Sequence, residues 1–268
     1  MEKAFKISGY PLAFHHRNRS STKPPFQTPS LMEKMNHSWQ SPSLGKKATV
    51  TVYGTEGTPI LVFPDAGRTR TEWEDHGLIK ALDFQLKNGH NRIFCVDSID
   101  KKSFLDADAP PRLRISRHRQ FENFIVDEVL PYIRKTTNDL FVMAAGVGLG
   151  GYHAVNLLLK HPGQIQKAIS IGGMFQIRTF MEDYFDDNVY YNNPMEYLPN
   201  LDNPALLEEI KSTDIRLVVT PDDPNLELNY MLSDILRSKA VEHIFDYWIE
   251  TGDHPWEIYG DMLQRHVP

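Results

Sequence analysis

The chain has 268 residues, 41% of them hydrophobic, and a formal net charge of −6. That is enough to fill one α/β-sized core, and the charge is of the wrong sign for a general nucleic-acid binder. The one cysteine, Cys95, cannot close an internal disulfide, and no apolar run reaches the ~18 residues of a membrane helix. Without an apolar leader near Met1, the expectation is a cytoplasmic protein with no membrane or nucleic-acid partner.

Residues 1–36 are read as a flexible extension, because His15 to Pro29 is basic and rich in Pro, Ser and Thr. Phe5, Ile7, Tyr10, Leu12 and Phe14 offer an apolar face for docking a protein partner or a second copy. One domain, 37–268, follows. Strands are predicted at Ala48–Tyr53, Ile60–Phe63 and Arg92–Val96, with a helix from Glu72 to Lys87. Cys95 sits in an apolar run and reads as a buried structural thiol. A long amphipathic helix spans Ser116–Lys135 and is interrupted near Pro131. Leu140–Ala145 is a strand and Tyr152–His161 a helix. Further strands are expected at Lys167–Ile171, Asp214–Thr220 and His243–Ile249, with helices at Leu226–Val241 and Pro255–Gln264. The aromatic segment Phe175–Asp202 reads as a cap whose rings mainly pack. Strands alternating with helices predict a doubly wound, mostly parallel sheet.

The run Gly146-Val147-Gly148-Leu149-Gly150-Gly151 joins a strand to a helix. Its shape is that of a nucleophile elbow, G-x-S-x-G, with Gly148 in the serine's place. Such a turn needs φ > 0 at its centre, which glycine adopts at little cost. Gly148 therefore keeps the turn and removes the nucleophile. Gly146, Gly148 and Gly151 also fit the dinucleotide fingerprint G-x-G-x-x-G. That mechanism wants an acid at the end of the next strand, where Gly172-Gly173-Met174 stands instead.

Ligands of open α/β sheets bind at the carboxyl ends of strands. The groups expected there are Asp65-Ala66-Gly67, Asp97-Ser98, Gly146 to Gly150, Asp222-Asp223 and Asp253-His254. An acid and then a histidine after the elbow is the chain order of α/β-hydrolases. His153, at the start of the elbow's helix, reads as packing close to the site. His76, His90, His118 and His161 read as surface or capping residues. No metal or cofactor site is expected.

From Trp39 onward the chain resembles the putative-esterase family of α/β-hydrolases, which includes esterase D-like and enterochelin-esterase-like proteins and mycolyltransferases. The resemblance rests on Trp39-Gln40-Ser41-Pro42-Ser43-Leu44-Gly45, Val62-Phe63-Pro64, Trp73-Glu74-Asp75, Cys95-Val96-Asp97-Ser98, Asp127-Glu128-Val129-Leu130-Pro131, Gly150-Gly151-Tyr152-His153-Ala154 and Asn192-Asn193-Pro194 through Tyr197-Leu198-Pro199. It implies an α/β-hydrolase fold with an aromatic-rich cap. The family's nucleophile position falls on Gly148, its acid on Asp223 and its histidine near His254. Here Asp253-His254-Pro255-Trp256 replaces the family's His-Asp-Trp-Pro. The oxyanion donors it implies are the backbone N–H groups of Leu149 and Ala66, with Asp65, Ser98, His153, Asp222 and Asp253 bordering the pocket. The expectation is a catalytically impaired homologue that binds a small carbonyl-containing ligand or a protein partner. The alternative is an active carboxylic-ester hydrolase, working through a water activated by the histidine and aspartate or through another nucleophile, for which Ser98 is the one serine placed at a neighbouring strand end.

Overall fold

A computed structural model describes residues 33–249 and 255–268. Eight strands form one sheet: β1 (Lys34–Ser41), β2 (Lys46–Tyr53), β3 (Thr58–Phe63), β4 (Asn91–Val96), β5 (Met143–Val147), β6 (Lys167–Ile171), β7 (Asp214–Val219) and β8 (Ile244–Tyr247). Their order across the sheet is β1-β2-β4-β3-β5-β6-β7-β8. β1 and β2 run antiparallel, as do β2 and β4; every other neighbouring pair is parallel.

Between β3 and β4 lie α1 (Glu72–Asp75), α2 (Leu78–Ala81) and α3 (Asp83–Lys87). Between β4 and β5 lie α4 (Pro111–Phe124) and α5 (Leu130–Thr137). The elbow helix α6 (Leu149–Lys160) joins β5 to β6. Then come α7 (Asp187–Tyr190), α8 (Pro194–Tyr197) and α9 (Pro204–Lys211), with α10 (Leu226–Ser238) between β7 and β8 and α11 (Pro255–His266) at the end. None of the described helices is long and apolar enough to cross a membrane.

Alternation along the strands divides the core in two. Leu61, Phe63, Phe94 and Val96 face the layer that includes residues of α4, α5 and α6, while Ile60, Val62, Ile93 and Cys95 face residues of α1, α2, α3 and α11. Burial pushes the Cys95 thiol well above its usual range, as suits a packing residue.

Several expected boundaries move. β1 begins at Lys34, so residues 34–36 of the expected extension belong to the sheet; residues 1–32, including the basic run and the apolar docking face, lie outside the described residues. The single helix expected over Glu72–Lys87 is three short ones, because Gly77 takes the left-handed conformation between the first two. The long helix starts earlier, at Pro111, where a proline's missing N–H costs nothing. It widens into a π turn over Ile125–Val129, immediately before Pro131, which cannot donate to the carbonyl four residues back. The π turn carries Glu128, which accepts from Trp39 Nε1, Ser41 Oγ and Ser43 N and so ties the β1–β2 hairpin to this helix. The strand expected from Leu140 begins at Met143; Leu140 and Phe141 are 77% and 44% exposed.

The aromatic segment is packed rather than open. Phe175, Ile177, Met181, Val189, Met195 and Tyr197 are buried in the α4/α6 layer. Tyr152 on α6 donates to the Asn192 carbonyl, and Tyr197 donates to Asn156 Oδ1. Phe185 stays half exposed beneath the Arg178 guanidinium.

Candidate active site

β3 and β5 are neighbours in space although β4 lies between them in sequence. Their carboxyl ends therefore form the switch point of the sheet, where the connections depart in opposite directions. Gly148 and Asp65 emerge there side by side.

Gly148 has φ 54° and ψ −118°, the strained centre of the elbow. Its N–H donates to the Ile171 carbonyl, and its own carbonyl accepts from Met174 and Tyr152, so the turn is fully bonded. A β-carbon at 148 would lie 2.3 Å from Asp65 Oδ1. The aspartate carboxylate thus occupies the room that a serine side chain would need. The same Oδ1 accepts from the Leu149 N–H at 2.9 Å.

Leu149 N–H, implied as an oxyanion donor, is bonded to a carboxylate of the chain itself. The nearby donors are treated alike. The Asp65 N–H donates to Glu72 Oε2 at 2.7 Å, and the Gly67 N–H reaches Asp100 Oδ2 at 3.4 Å. Ala66 sits on the exposed tip of a turn closed by Arg68 N–H to the Asp65 carbonyl. An anion at the start of α6 is favoured by helix polarity, and Asp65 already fills that role.

Electrostatics follow from this crowding. Burial raises the Glu72 pKa to about 7, against the lowering effect of the Asp65 N–H; the charge of Asp65 adds to the rise. Glu72 is only 3% exposed, and its Oε1 has no hydrogen-bond partner, with Arg68 Nε 3.8 Å away. Asp223 follows β7. Its Oδ1 accepts from Asn225 N, and its other oxygen lies against the Gly172 backbone at the end of β6. Burial raises Asp223, the Asn225 N–H opposes this, and the charge of Asp65 adds to it. Tyr259, on α11, is raised by burial and then by the charges of Asp223 and Asp65. Asp65, Asp223 and Tyr259 therefore belong to one field.

The other expected site residues fall elsewhere. Asp222 is exposed beside Asp223. Ser98 donates to Asp100 Oδ2 and accepts from Asp100 N, so its hydroxyl turns to that carboxylate rather than toward the elbow. His153 is buried, with Nε2 3.3 Å from Asp100 Oδ1 and its ring beside Phe63. Burial opposes ionisation of Asp100, but His153, Ser98 and the Gly67 N–H outweigh it and hold the pKa below the usual range. Asp253 and His254 lie outside the described residues. Glu72, Asp100 and Tyr259 were not singled out by the sequence. Asp100 follows Ser98 by two positions and was readable as part of a strand-end cap; the other two carry no motif. Among the described residues, no three His, Cys, Asp or Glu side chains are grouped as a metal ion would need.

A family profile described as "Putative esterase" matches residues 41–267. Solved structures share the fold. A ferulic acid esterase superposes with a TM-score of 0.69 at 17% identity, covering 88% of this chain and 96% of that one. An S-formylglutathione hydrolase from Staphylococcus aureus gives 0.68 at 14% identity, over 89% and 98%. Another from Agrobacterium tumefaciens gives 0.69 at 13% identity, over 90% and 95%. At such identities the likeness shows the fold alone. A search of curated proteins gave no match.

Proposed function

The chain belongs to the putative-esterase family of α/β-hydrolases, and from that premise we propose that it has lost acyl transfer and serves as a binding protein for a small polar ligand. The ligand would sit at the carboxyl ends of β3, β5, β6 and β7, bordered by Asp65, Asp223 and Tyr259. One observation carries the reading: the elbow is intact, but its centre is Gly148, which has no hydroxyl to form an acyl-enzyme. Loss of a nucleophile alone commonly leaves residual catalysis from the oxyanion donors. With Leu149 N–H held by Asp65, one of the two implied donors is already bonded within the chain. The protein is proposed to act in the cytoplasm.

Hydrolysis of p-nitrophenyl acetate by the full chain tests this. The expected result is no saturable turnover above the buffer rate. Saturable hydrolysis that disappears in His254→Ala would overturn the proposal in favour of an ester hydrolase using a water held by His254 and Asp223.

A further inference from the structure

The position of Asp65 has a consequence for what the pocket admits. In an acyl-transfer site two things meet at the elbow: the nucleophile's oxygen and the backbone N–H that receives the acyl oxygen. Here a single side chain occupies both places. Asp65 Oδ1 is 2.9 Å from Leu149 N, and a β-carbon at 148 would be 2.3 Å from the same oxygen. The loop that presents Asp65 is anchored on both sides. Its N–H is bound to the buried Glu72 and its carbonyl to the Arg68 N–H. The side chain is thus aimed at the elbow by its own backbone.

We propose that Asp65 is the specificity-determining residue of this pocket: as a built-in occupant of the acyl-oxygen site, it makes the pocket refuse carboxylates and acyl oxygens, which the bare backbone would accept. The refusal has two parts. Leu149 N–H has one proton to donate, and a second acceptor cannot share it without displacing the first. An incoming carboxylate also meets the Asp65 charge at close range, where the interior screens it poorly. Asp223 and Tyr259 are raised mainly by burial, and the Asp65 charge adds to both. Removing the Asp65 carboxylate frees the Leu149 donor at the start of α6, where helix polarity favours an anion. The inference deepens the binding reading above and names what the site excludes. The two fail separately: loss of the binding reading is seen as ester turnover, and loss of this one as butyrate binding to the native chain.

Sodium butyrate is the probe, titrated into the full ¹⁵N-labelled chain while the Leu149 amide resonance is followed. Three proteins are compared: native, Asp65→Ala and Asp65→Asn. The native protein should show no saturable shift of Leu149, and Asp65→Ala should bind butyrate at least about tenfold more tightly. Asp65→Asn keeps an oxygen for Leu149 without the charge and should fall between them; it also supplies a near-isosteric variant should the alanine protein fold poorly. Equal butyrate affinity in native and Asp65→Ala would overturn the proposal. So would the absence of any Leu149 shift in both variants when their remaining amide spectra are native-like, because freeing the donor would then have created no anion site.

Discussion

Two glutamates, the buried Glu72 and the partly buried Glu122, show how differently this molecule treats its shielded charges. Glu122 lies on α4 and accepts from Lys160 Nζ at 2.5 Å and from His161 Nε2 at 2.8 Å. Burial alone would raise its pKa, but His161 and Lys160 outweigh this and lower it to about 2. Lys160 also donates to Asn192, which joins His118 and Tyr152 in one continuous network under the aromatic segment. His118 in turn is kept neutral, lowered to about 3 by burial and then by repulsion from His153. Glu72 has no such company: two carboxylate neighbours, Asp65 and Asp75, one backbone donor and a distant arginine. In the first region the glutamate's charge is compensated by two partners within a connected polar network, although His118 Nδ1 has none. The second is left incomplete at a strand end, where ligands bind in this fold. Buried charge alone does not mark a functional site.

The sharpest way to break the contrast is to unbalance the satisfied side. Lys160→Met should cost about 3 kcal/mol in urea unfolding, because Glu122 then stays buried with His161 as its remaining partner. A cost under about 1 kcal/mol would show that the network is no better compensated than the elbow.

Next in size is the attempt to rebuild chemistry at the elbow. Gly148→Ser alone sets a side chain against Asp65 in a left-handed turn and should lose about 2 kcal/mol of stability while remaining inactive on p-nitrophenyl acetate. Gly148→Ser with Asp65→Ala should exceed the single variant in ester turnover by about 100-fold, the usual worth of one freed oxyanion donor. Equal rates would mean that Asp65 does not govern the donor in solution.

The smallest effect concerns pH, and the two glutamates give it opposite signs. For Glu72 the folded pKa, about 7, lies above the reference value of 4.5. The folded state then holds more protons between these values, so stability falls as pH rises from 4.5 to 7. The expected loss is about 2 kcal/mol, reduced from the full conversion because the Asp65 turn is open to water. Glu72→Gln should flatten that slope in urea melts taken across the range. Glu122, with its lowered pKa, contributes stability that is complete above 4.5 and lost as pH falls toward 2. Its ramp should survive Glu72→Gln unchanged.

Local chemistry explains what the sequence disclosed. The glycine-rich turn between an apolar run and a helical pattern was readable because the elbow's backbone requirement is written in consecutive residues. The parallel order followed from alternating strands and helices. Contacts between distant residues were not readable. Asp65 and Leu149 are 84 positions apart, and nothing in Pro64-Asp65-Ala66-Gly67 reveals that the carboxylate turns inward once position 148 has no side chain. The histidines show the same limit. His118 and His161 were expected at the surface or as caps, yet His118 is buried against Asn192 and His161 pairs with Glu122. His76, on the other side of the sheet, is exposed and stacks on Trp256. A lone polar residue in an amphipathic helix does not announce whether a partner waits for it. Leu140 and Phe141 mislead in the opposite direction: an apolar run extends past the point where strand pairing begins.

The crowding around the elbow also bears on how such chains are recognised. A β-carbon at Gly150 would stand 2.3 Å from the Phe63 carbonyl oxygen, and one at Gly146 would stand 2.2 Å from the Gly150 carbonyl carbon. Both obstacles are backbone, so no repacking of side chains relieves them. The glycines are therefore required by the geometry of the turn, whatever residue stands at its centre. Gly146, together with Gly148 and Gly151, also happens to match a nucleotide-binding signature. Members of the fold that, like this one, carry glycine at the centre of the turn will therefore match that pattern for reasons of backbone geometry alone.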